Sequence, residues 1–296
     1  MRWTLLALLL LLPGHARPEG RETLGMGRIF TNDLLGDGRD RWRSTSFALS
    51  VVRGPAWDGR LPDRPGALLE YRLRAEIIQP SDLGASGVDD RPYAASLSAG
   101  LHARWAALGG DLSMGADLVV VGPQTGIGEF QDGFHDLIGA PSVDVLDGQV
   151  GDAVRLSGTL AFVRPVALGR QATLRPFAEA TGGVEDILRV GADLVWGDVG
   201  QEDLWIRDVA SGQLYRGVQG PDTGLAVVAG ADWAAVGDSL WLPDGAEDRR
   251  ARARVGVHWQ LTPRSSVFYG LSYLGPEFEG QDEGQVLGHL KFGFSF

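Results

Sequence analysis

The chain has 296 residues, and its 27 basic and 38 acidic side chains give a formal net charge of −11 at pH 7. This excess of acid repels phosphate backbones and argues against a nucleic-acid-binding protein. The absence of cysteine excludes disulfide scaffolds, thiolate zinc sites and cysteine nucleophiles, while a hydrophobic content of 44% is ample for a folded core.

The first residues have the features of a secretory signal peptide. Arg2 gives a positive start, an apolar stretch follows at residues 5–12, and residues 14–16 form a small-x-small cleavage site. The apolar stretch is shorter than the roughly 20 residues that a membrane-spanning helix needs. We expect a signal peptide at residues 1–16, cleavage after Ala16, and a single exported domain at residues 17–296.

Most of the remaining chain alternates between apolar and polar residues. Between residues 68 and 78, the odd positions are apolar, and the even positions include Glu70, Arg72, Arg74 and Glu76. A strand sends alternate side chains to opposite faces, so one face of such a segment is apolar and the other is charged. The pattern recurs, and candidate strands start near residues 27, 43, 66, 93, 109, 153, 172, 186, 224, 250, 265 and 284.

The length and chemistry of these segments favour a membrane barrel over a soluble β-sandwich. The segments run for about 10–13 residues, which is enough to cross a bilayer when tilted. Their apolar faces are aliphatic, with Trp and Tyr near strand ends, and the last segment closes on Phe296, as in outer-membrane barrels. We therefore predict an all-β fold, an up-and-down antiparallel transmembrane β-barrel of about twelve strands, because a closed barrel leaves no unpaired edge in lipid.

The loop lengths indicate which end of the barrel faces outward. Long polar loops follow the first, third and fifth strands, and short links follow the fourth and sixth. Because outer-membrane barrels have long extracellular loops and short periplasmic turns, the three long loops are predicted at the outer rim. The first strand is expected to run to about Leu35. The connection at residues 197–224 is long where a short turn is expected, so the sequence leaves open which end of the barrel the later loops face.

The third long loop contains a candidate functional helix. Residues 129–138 have the pattern of a short amphipathic helix, in which Gln131 and His135 share one face and Phe134 packs elsewhere. A histidine at a barrel mouth can take up a proton near neutral pH, and a neighbouring amide can hold its ring or a water molecule. On spacing alone, an ordinary polar pair on a surface helix is the simpler interpretation.

Side chains that carry oxygen lie at the ends of the first two predicted strands. Asn32 and Asp33 close the first strand and could ligate a hard cation such as calcium, or simply form a turn. Ser44 starts the second strand on its polar face, just across the first loop from Asp33. A lone serine at such a position is usually a hydroxyl that lines the lumen.

Several segments together resemble the lipid A 3′-O-deacylase (LpxR-like) family. The similarity covers Asn32-Asp33, Asp40-Arg41-Trp42-Arg43-Ser44, Asp89-Asp90-Arg91-Pro92-Tyr93-Ala94, Gly122-Pro123, Gln131-x-x-x-His135, Ile138-Gly139 and residues 269–296. These segments follow the family's order over essentially the whole mature chain. The Asp-Arg-Pro-Tyr-Ala and Gln-x-x-x-His elements are the most specific of them.

The resemblance implies a twelve-stranded barrel in the outer membrane of a Gram-negative bacterium, with its site between the barrel wall and the lipid of the outer leaflet. It implies a calcium-dependent esterase that removes the 3′-linked acyloxyacyl group of lipid A. Lipid A or lipopolysaccharide would be its substrate, and the barrel-assembly machinery would be its partner during biogenesis.

By position, the resemblance also assigns roles to individual residues. His135 would be the general base that deprotonates water, and Gln131 would orient that histidine or the water. Asn32 and Asp33 would hold Ca²⁺, which polarises the ester carbonyl and stabilises the oxyanion. Ser44 falls where the family has a threonine or serine at the site.

The chain departs from the family pattern at two site positions. Residues 141–142, Pro and Ser, occupy the region of the family's acidic residue after the histidine, so Asp144 or Asp147 could replace that residue only after a shift. The family's active-site lysine has no counterpart by position, and Arg72 and Arg74 are candidates by chemistry only.

Two other classes of function stay open on the sequence. One is a barrel without catalysis, either a narrow pore or a structural protein. The other is a phospholipase-type barrel with Ser44 as the nucleophile and His135 as the base.

Overall fold

The structure is a computed structural model that describes residues 20–84, 90–242 and 244–294. The expected signal peptide, Asp89 of the family-like motif and the terminal Phe296 lie outside the described residues. The strands are β1 Glu22–Asn32, β2 Trp42–Gly54, β3 Leu68–Gln79, β4 Ala94–Ala107, β5 Gly110–Val121, β6 Ala153–Val163, β7 Val166–Ala167, β8 Ala172–Gly182, β9 Glu185–Gly197, β10 Leu204–Arg207, β11 Leu214–Val218, β12 Gly224–Ser239, β13 Arg249–Thr262, β14 Ser265–Leu274 and β15 Gln285–Phe294. One α-helix, α1 Ile127–Ile138, and three 3₁₀ turns, Asp33–Leu35, Pro123–Thr125 and Asp144–Gly148, complete the described elements.

Twelve of these strands form one closed antiparallel barrel. They pair in the order β6-β5-β4-β3-β2-β1-β15-β14-β13-β12-β9-β8, and β8 pairs with β6 to close the ring. This closure confirms the predicted fold. Eleven of the twelve strands start within two residues of the predicted positions, and the first starts five residues earlier. In the described part of the chain, no helix is long and apolar enough to cross a membrane.

The first strand ends earlier than the sequence predicts. β1 stops at Asn32, and residues Asp33–Leu35 form a 3₁₀ turn instead of extending the strand to Leu35. The side chain of Asn32 accepts a hydrogen bond from the backbone N–H of Leu34 and caps the turn. Asparagine and aspartate side chains compete in this way with the ladder of a sheet, and they stop a strand where they do so.

The wall of the barrel buries polar side chains inside and presents apolar side chains outside. The strand β13 shows this alternation most clearly, with inward-facing Arg250, Arg252, Arg254 and His258 buried and outward-facing Val255, Val257 and Trp259 exposed. Inside, Arg254 pairs with Asp193 at 2.6 Å, and Arg252 pairs with Asp232 at 3.0 Å. An apolar exterior around a polar interior is the arrangement of a transmembrane barrel.

A short hairpin, β10 with β11, occupies the lumen. This hairpin explains the long connection at residues 197–224. The chain leaves β9, folds into the barrel and returns to β12 at the same end, so the strands continue to alternate in direction. The hydroxyl groups of Tyr215 and Ser50 lie 2.8 Å apart, and Arg207 pairs with Asp193 at 2.6 Å. A Cβ atom at Gly25 would lie 2.4 Å from the backbone oxygen of Gly217, so this glycine lets the hairpin approach β1 closely.

The hairpin leads to a prediction about conduction. Because its side chains and the buried ion pairs obstruct the lumen, the barrel should carry no steady porin-sized current in a planar lipid bilayer, whereas a porin of similar strand number recorded in parallel should conduct. Ohmic, porin-sized current steps from the purified protein would contradict an obstructed lumen.

Candidate functional site

The helix α1 lies in the long loop between β5 and β6, where the sequence predicts it. It begins after Gly126 and ends at Gly139, and both glycines have left-handed backbone conformations, with φ of 69° and 72°. Such conformations favour glycine, which has no Cβ atom to clash with the backbone. The N–H of Ala140 donates to the carbonyl of His135 at 2.9 Å and closes the last turn.

The loop packs on the outside of the barrel wall. Its Val143 and Val145 form a buried cluster with Leu83, Tyr93 and Ala95, against which Ile77, Ile127 and Leu146 also pack. Ile77 and Ala95 are the outward-facing residues near the ends of β3 and β4, on the same strand faces as the exposed Leu73 and Leu97. The helix therefore stands over the lipid-facing surface and not across the lumen.

A chain of hydrogen bonds, here called the rim network, joins α1 to the ends of β2 and β3. Its five members are Ser44, Asp40, Gln79, Gln131 and Tyr93. The hydroxyl of Tyr93 donates to Gln131 Oε1 at 2.8 Å, and Gln131 Nε2 donates to Gln79 Oε1 at 2.8 Å. Gln79 Nε2 and Ser44 Oγ both donate to Asp40 Oδ1 at 2.7 Å. The structure thus brings together Gln131 and Ser44, two of the predicted site residues.

His135 lies one turn after Gln131 and faces the wall with it. Both side chains are buried. The ring atom Nδ1 of His135 lies 2.7 Å from the carbonyl oxygen of Pro141. Because a carbonyl can only accept, Nδ1 carries a hydrogen, so in the neutral ring Nε2 has the lone pair that a general base requires. A backbone carbonyl therefore orients the ring at the position where the family pattern has an acidic residue.

Asp132 holds the segment that supplies this carbonyl. Its Oδ1 accepts from the backbone N–H of Val143 at 2.9 Å, which ties residues 139–143 back to the helix. Asp136, one turn later, is exposed. The two acidic residues of the helix therefore have different surroundings, although they are alike in charge and size.

The Asn32–Asp33 pair lies at the same end of the barrel. The Oδ1 atoms of both residues accept from the backbone N–H of Leu34, at 2.9 and 2.8 Å, so these two oxygens converge. Asp33 Oδ2 accepts from the N–H of Arg41 at 2.7 Å. Burial raises the pKa of Asp33 to about 8 against the opposing effect of that N–H, and the charge of Asp40 adds to the rise.

The side chains around Asp33 are of the chemical type that binds a hard cation. Within the described residues, no basic side chain forms an ion pair with Asp33, and the charge of the nearby Asp40 further disfavours its ionised form, so a bound cation would stabilise the carboxylate of Asp33. Carboxylate and amide oxygens are ligands that Ca²⁺ prefers. The described residues contain no group of three or more acidic or histidine side chains arranged to hold a metal. Neutral oxygens of the protein, the substrate or water would have to complete the shell.

The remaining candidates have other surroundings in the structure. Arg72 and Arg74 lie inside the lumen, where they pair with Glu70 at 2.8 Å and Glu76 at 3.0 Å. The residue of β3 that meets the helix is Gln79. Asp144 and Asp147 are exposed on a 3₁₀ turn that Val143 and Val145 anchor to the outer wall.

Sequence reasoning missed four contributors to the site. Asp40 and Tyr93 lie in the family-like motifs. Those motifs marked the two positions but did not indicate what their side chains do. Gln79 carried no signal beyond its position at the end of a strand. The carbonyl of Pro141 is a backbone group, which no side-chain pattern can reveal.

The contrast between the two acidic residues of α1 gives a prediction. Asp132→Ala should free residues 139–143 and move His135 from the Nδ1–H tautomer to a mixture of tautomers, whereas Asp136→Ala should leave it unchanged. Side-chain ¹⁵N NMR of histidine-labelled protein measures this, with His135→Gln identifying the resonance. An identical spectrum for Asp132→Ala and wild type would refute the positioning role.

The chain was compared with family models, curated protein sequences and solved structures. A family model described as outer membrane protein LpxR matches residues 4–296. The solved structure of LpxR from Salmonella typhimurium is similar, with a TM-score of 0.75 and 18% identity over 92% of this chain and 100% of that one. The β domain of the Bordetella autotransporter BrkA matches with a TM-score of 0.48 and 13% identity, over 94% and 99%. None of the curated protein sequences compared with the chain matches it.

Proposed function

The chain belongs to the LpxR family of outer-membrane proteins, and from this membership we propose that it is a lipid A deacylase that hydrolyses the 3′-linked acyloxyacyl ester. The protein is a β-barrel of the Gram-negative outer membrane. The observation that carries the proposal is the position of His135, which is buried on the same face of α1 as Gln131 and whose Nε2 has no hydrogen-bond partner among the described residues. A lipid of the outer leaflet can reach this position from the side.

In the proposed reaction, His135 Nε2 takes a proton from a water molecule, and the water oxygen attacks the ester carbonyl carbon. The tetrahedral intermediate then loses the sugar oxygen, which leaves with the proton held by His135. The products are the free acyloxyacyl acid and a 3′-hydroxyl on the sugar. The carbonyl of Pro141 keeps the ring in the tautomer that this proton transfer needs.

The role proposed for Gln131 follows from its partners. Both polar atoms of its amide are engaged, Oε1 by Tyr93 and Nε2 by Gln79. We therefore assign to Gln131 the positioning of α1, and of His135 on it, against the wall. Asn32 and Asp33 are the residues proposed to hold calcium, which when bound would polarise the ester carbonyl.

The bonding of Ser44 favours hydrolysis by water over a serine nucleophile. Its hydroxyl donates to Asp40 at 2.7 Å, so its proton points to a carboxylate and not to His135. A serine nucleophile needs a base at that proton, oriented in turn by a third group. In this proposal Ser44 supports the rim network.

Site variants test the catalytic roles. In micelles that contain lipid A, His135→Ala should reduce release of the acyloxyacyl acid by about 10²–10⁴-fold. Ser44→Ala should cause a partial loss, because it weakens only one bond of the rim network. His102→Gln, a change inside the lumen next to Asp117, serves as the histidine control and should retain activity.

Two results would contradict these roles. One is full activity of His135→Ala in protein that keeps the heat-modifiable migration of a folded barrel. The other is labelling of Ser44 by a serine-reactive phosphonate, which would favour the phospholipase-type mechanism.

Calcium binding has a separate test that does not depend on activity. Calcium at about 100 times its dissociation constant should stabilise the wild type by about 2.7 kcal/mol relative to chelator. Asp33→Asn should lose this gain, and Asp37→Asn, in the same loop, should keep it. Urea unfolding in detergent measures the difference. Equal unfolding of the wild type with calcium and with chelator would refute the calcium site.

A further inference from the structure

The helix α1 presents an apolar face that the fold leaves uncovered. This face consists of Phe130, Phe134, Leu137 and Ile138, whose exposed fractions are 73%, 49%, 81% and 59%. The rings of Phe130 and Phe134 stack with their centroids 6.5 Å apart. Contiguous exposed apolar side chains of this size mark a contact with a partner or a membrane.

The other faces of the same helix have different chemistry. Gln131 bonds to Gln79 of the barrel wall, and His135, one turn later on the same face, is also buried. Glu129 and Asp136 are exposed, and at 100° per residue they lie on the side opposite Phe134 and Ile138. The helix therefore has one side for the protein, one side for water and a third, apolar side. A helix that lies in a membrane interface has such a division.

The position of α1 indicates what covers the apolar face. The loop covers the outward-facing Ile77 and Ala95, and Leu73 and Leu97 lie further along the same strand faces, 53% and 41% exposed. These leucines belong to the lipid-facing surface of the barrel. The apolar face thus belongs to a loop that packs on the lipid-facing side of the wall, and none of its four side chains is charged or polar.

We propose that α1 is an interfacial helix whose apolar face inserts among the acyl chains of the outer leaflet. The inserted phenylalanines and leucine hold the helix at the boundary between acyl chains and head groups, and they set the height of the wall-facing side chains in the membrane. This inference requires only that the barrel spans a bilayer. It does not depend on the proposed hydrolysis.

The absence of cysteine allows a direct test by spin labelling. Single variants Phe134→Cys and Leu137→Cys are labelled with a nitroxide and reconstituted in vesicles of phosphatidylcholine and phosphatidylglycerol. Asp136→Cys is the matched control on the water side of the same helix, and Leu118→Cys, on the lipid-facing wall, is the control for hydrocarbon. Relaxation by oxygen reports exposure to lipid, and relaxation by a nickel chelate reports exposure to water.

The proposal predicts that the labels at Phe134 and Leu137 respond to oxygen as the Leu118 label does, and that only the Asp136 label responds strongly to nickel. Nickel accessibility at Phe134 and Leu137 equal to that at Asp136 would overturn it. So would labels that neither reagent reaches, or dipolar broadening between labels, since these would indicate cover by protein or by a second copy of the chain. Acid release is not measured, so failure here is distinct from failure of the deacylase proposal.

Discussion

Hydrocarbon offers no partners for hydrogen bonds, so each backbone N–H and C=O inside a bilayer must be paired within the protein. The chain meets this constraint by closing twelve strands into a ring, with β1 on β15 and β6 on β8. The same closure carries the ends of β1, β2 and β3 and the start of β4 to one rim. Asp33, Ser44, Gln79 and Tyr93 meet there because the backbone had to close.

The interior and exterior of the barrel serve different purposes. The lumen holds the β10–β11 hairpin and buried ion pairs, and at the rim Glu277 accepts from Arg43 and Arg91, whose charges keep its pKa well below the usual range. These interior contacts support the wall. The candidate chemistry lies outside that wall, beneath α1, where a lipid approaches laterally without leaving the membrane.

Alternation of apolar and polar residues, together with the length and chemistry of the segments, predicted the barrel, because lipid outside and ion pairs inside impose a period of two on every wall strand. The helix was predicted as well, from the amphipathic pattern of residues 129–138, and it begins two residues earlier than predicted. The β10–β11 hairpin was not, since Leu204, Trp205 and Ile206 are consecutively buried and show no alternation. The orientation of His135 by a backbone carbonyl depends on how residues 139–143 fold, which spacing alone does not encode.

The most direct test of the account is the mass spectrum of lipid A from Gram-negative cells that express the wild-type chain, His135→Ala or no added protein. Only the wild type is expected to yield a species lighter by one acyloxyacyl group, with fragments that assign the loss to the 3′ position. Identical acylation in all three, with folded barrel present in the outer membrane, would contradict it.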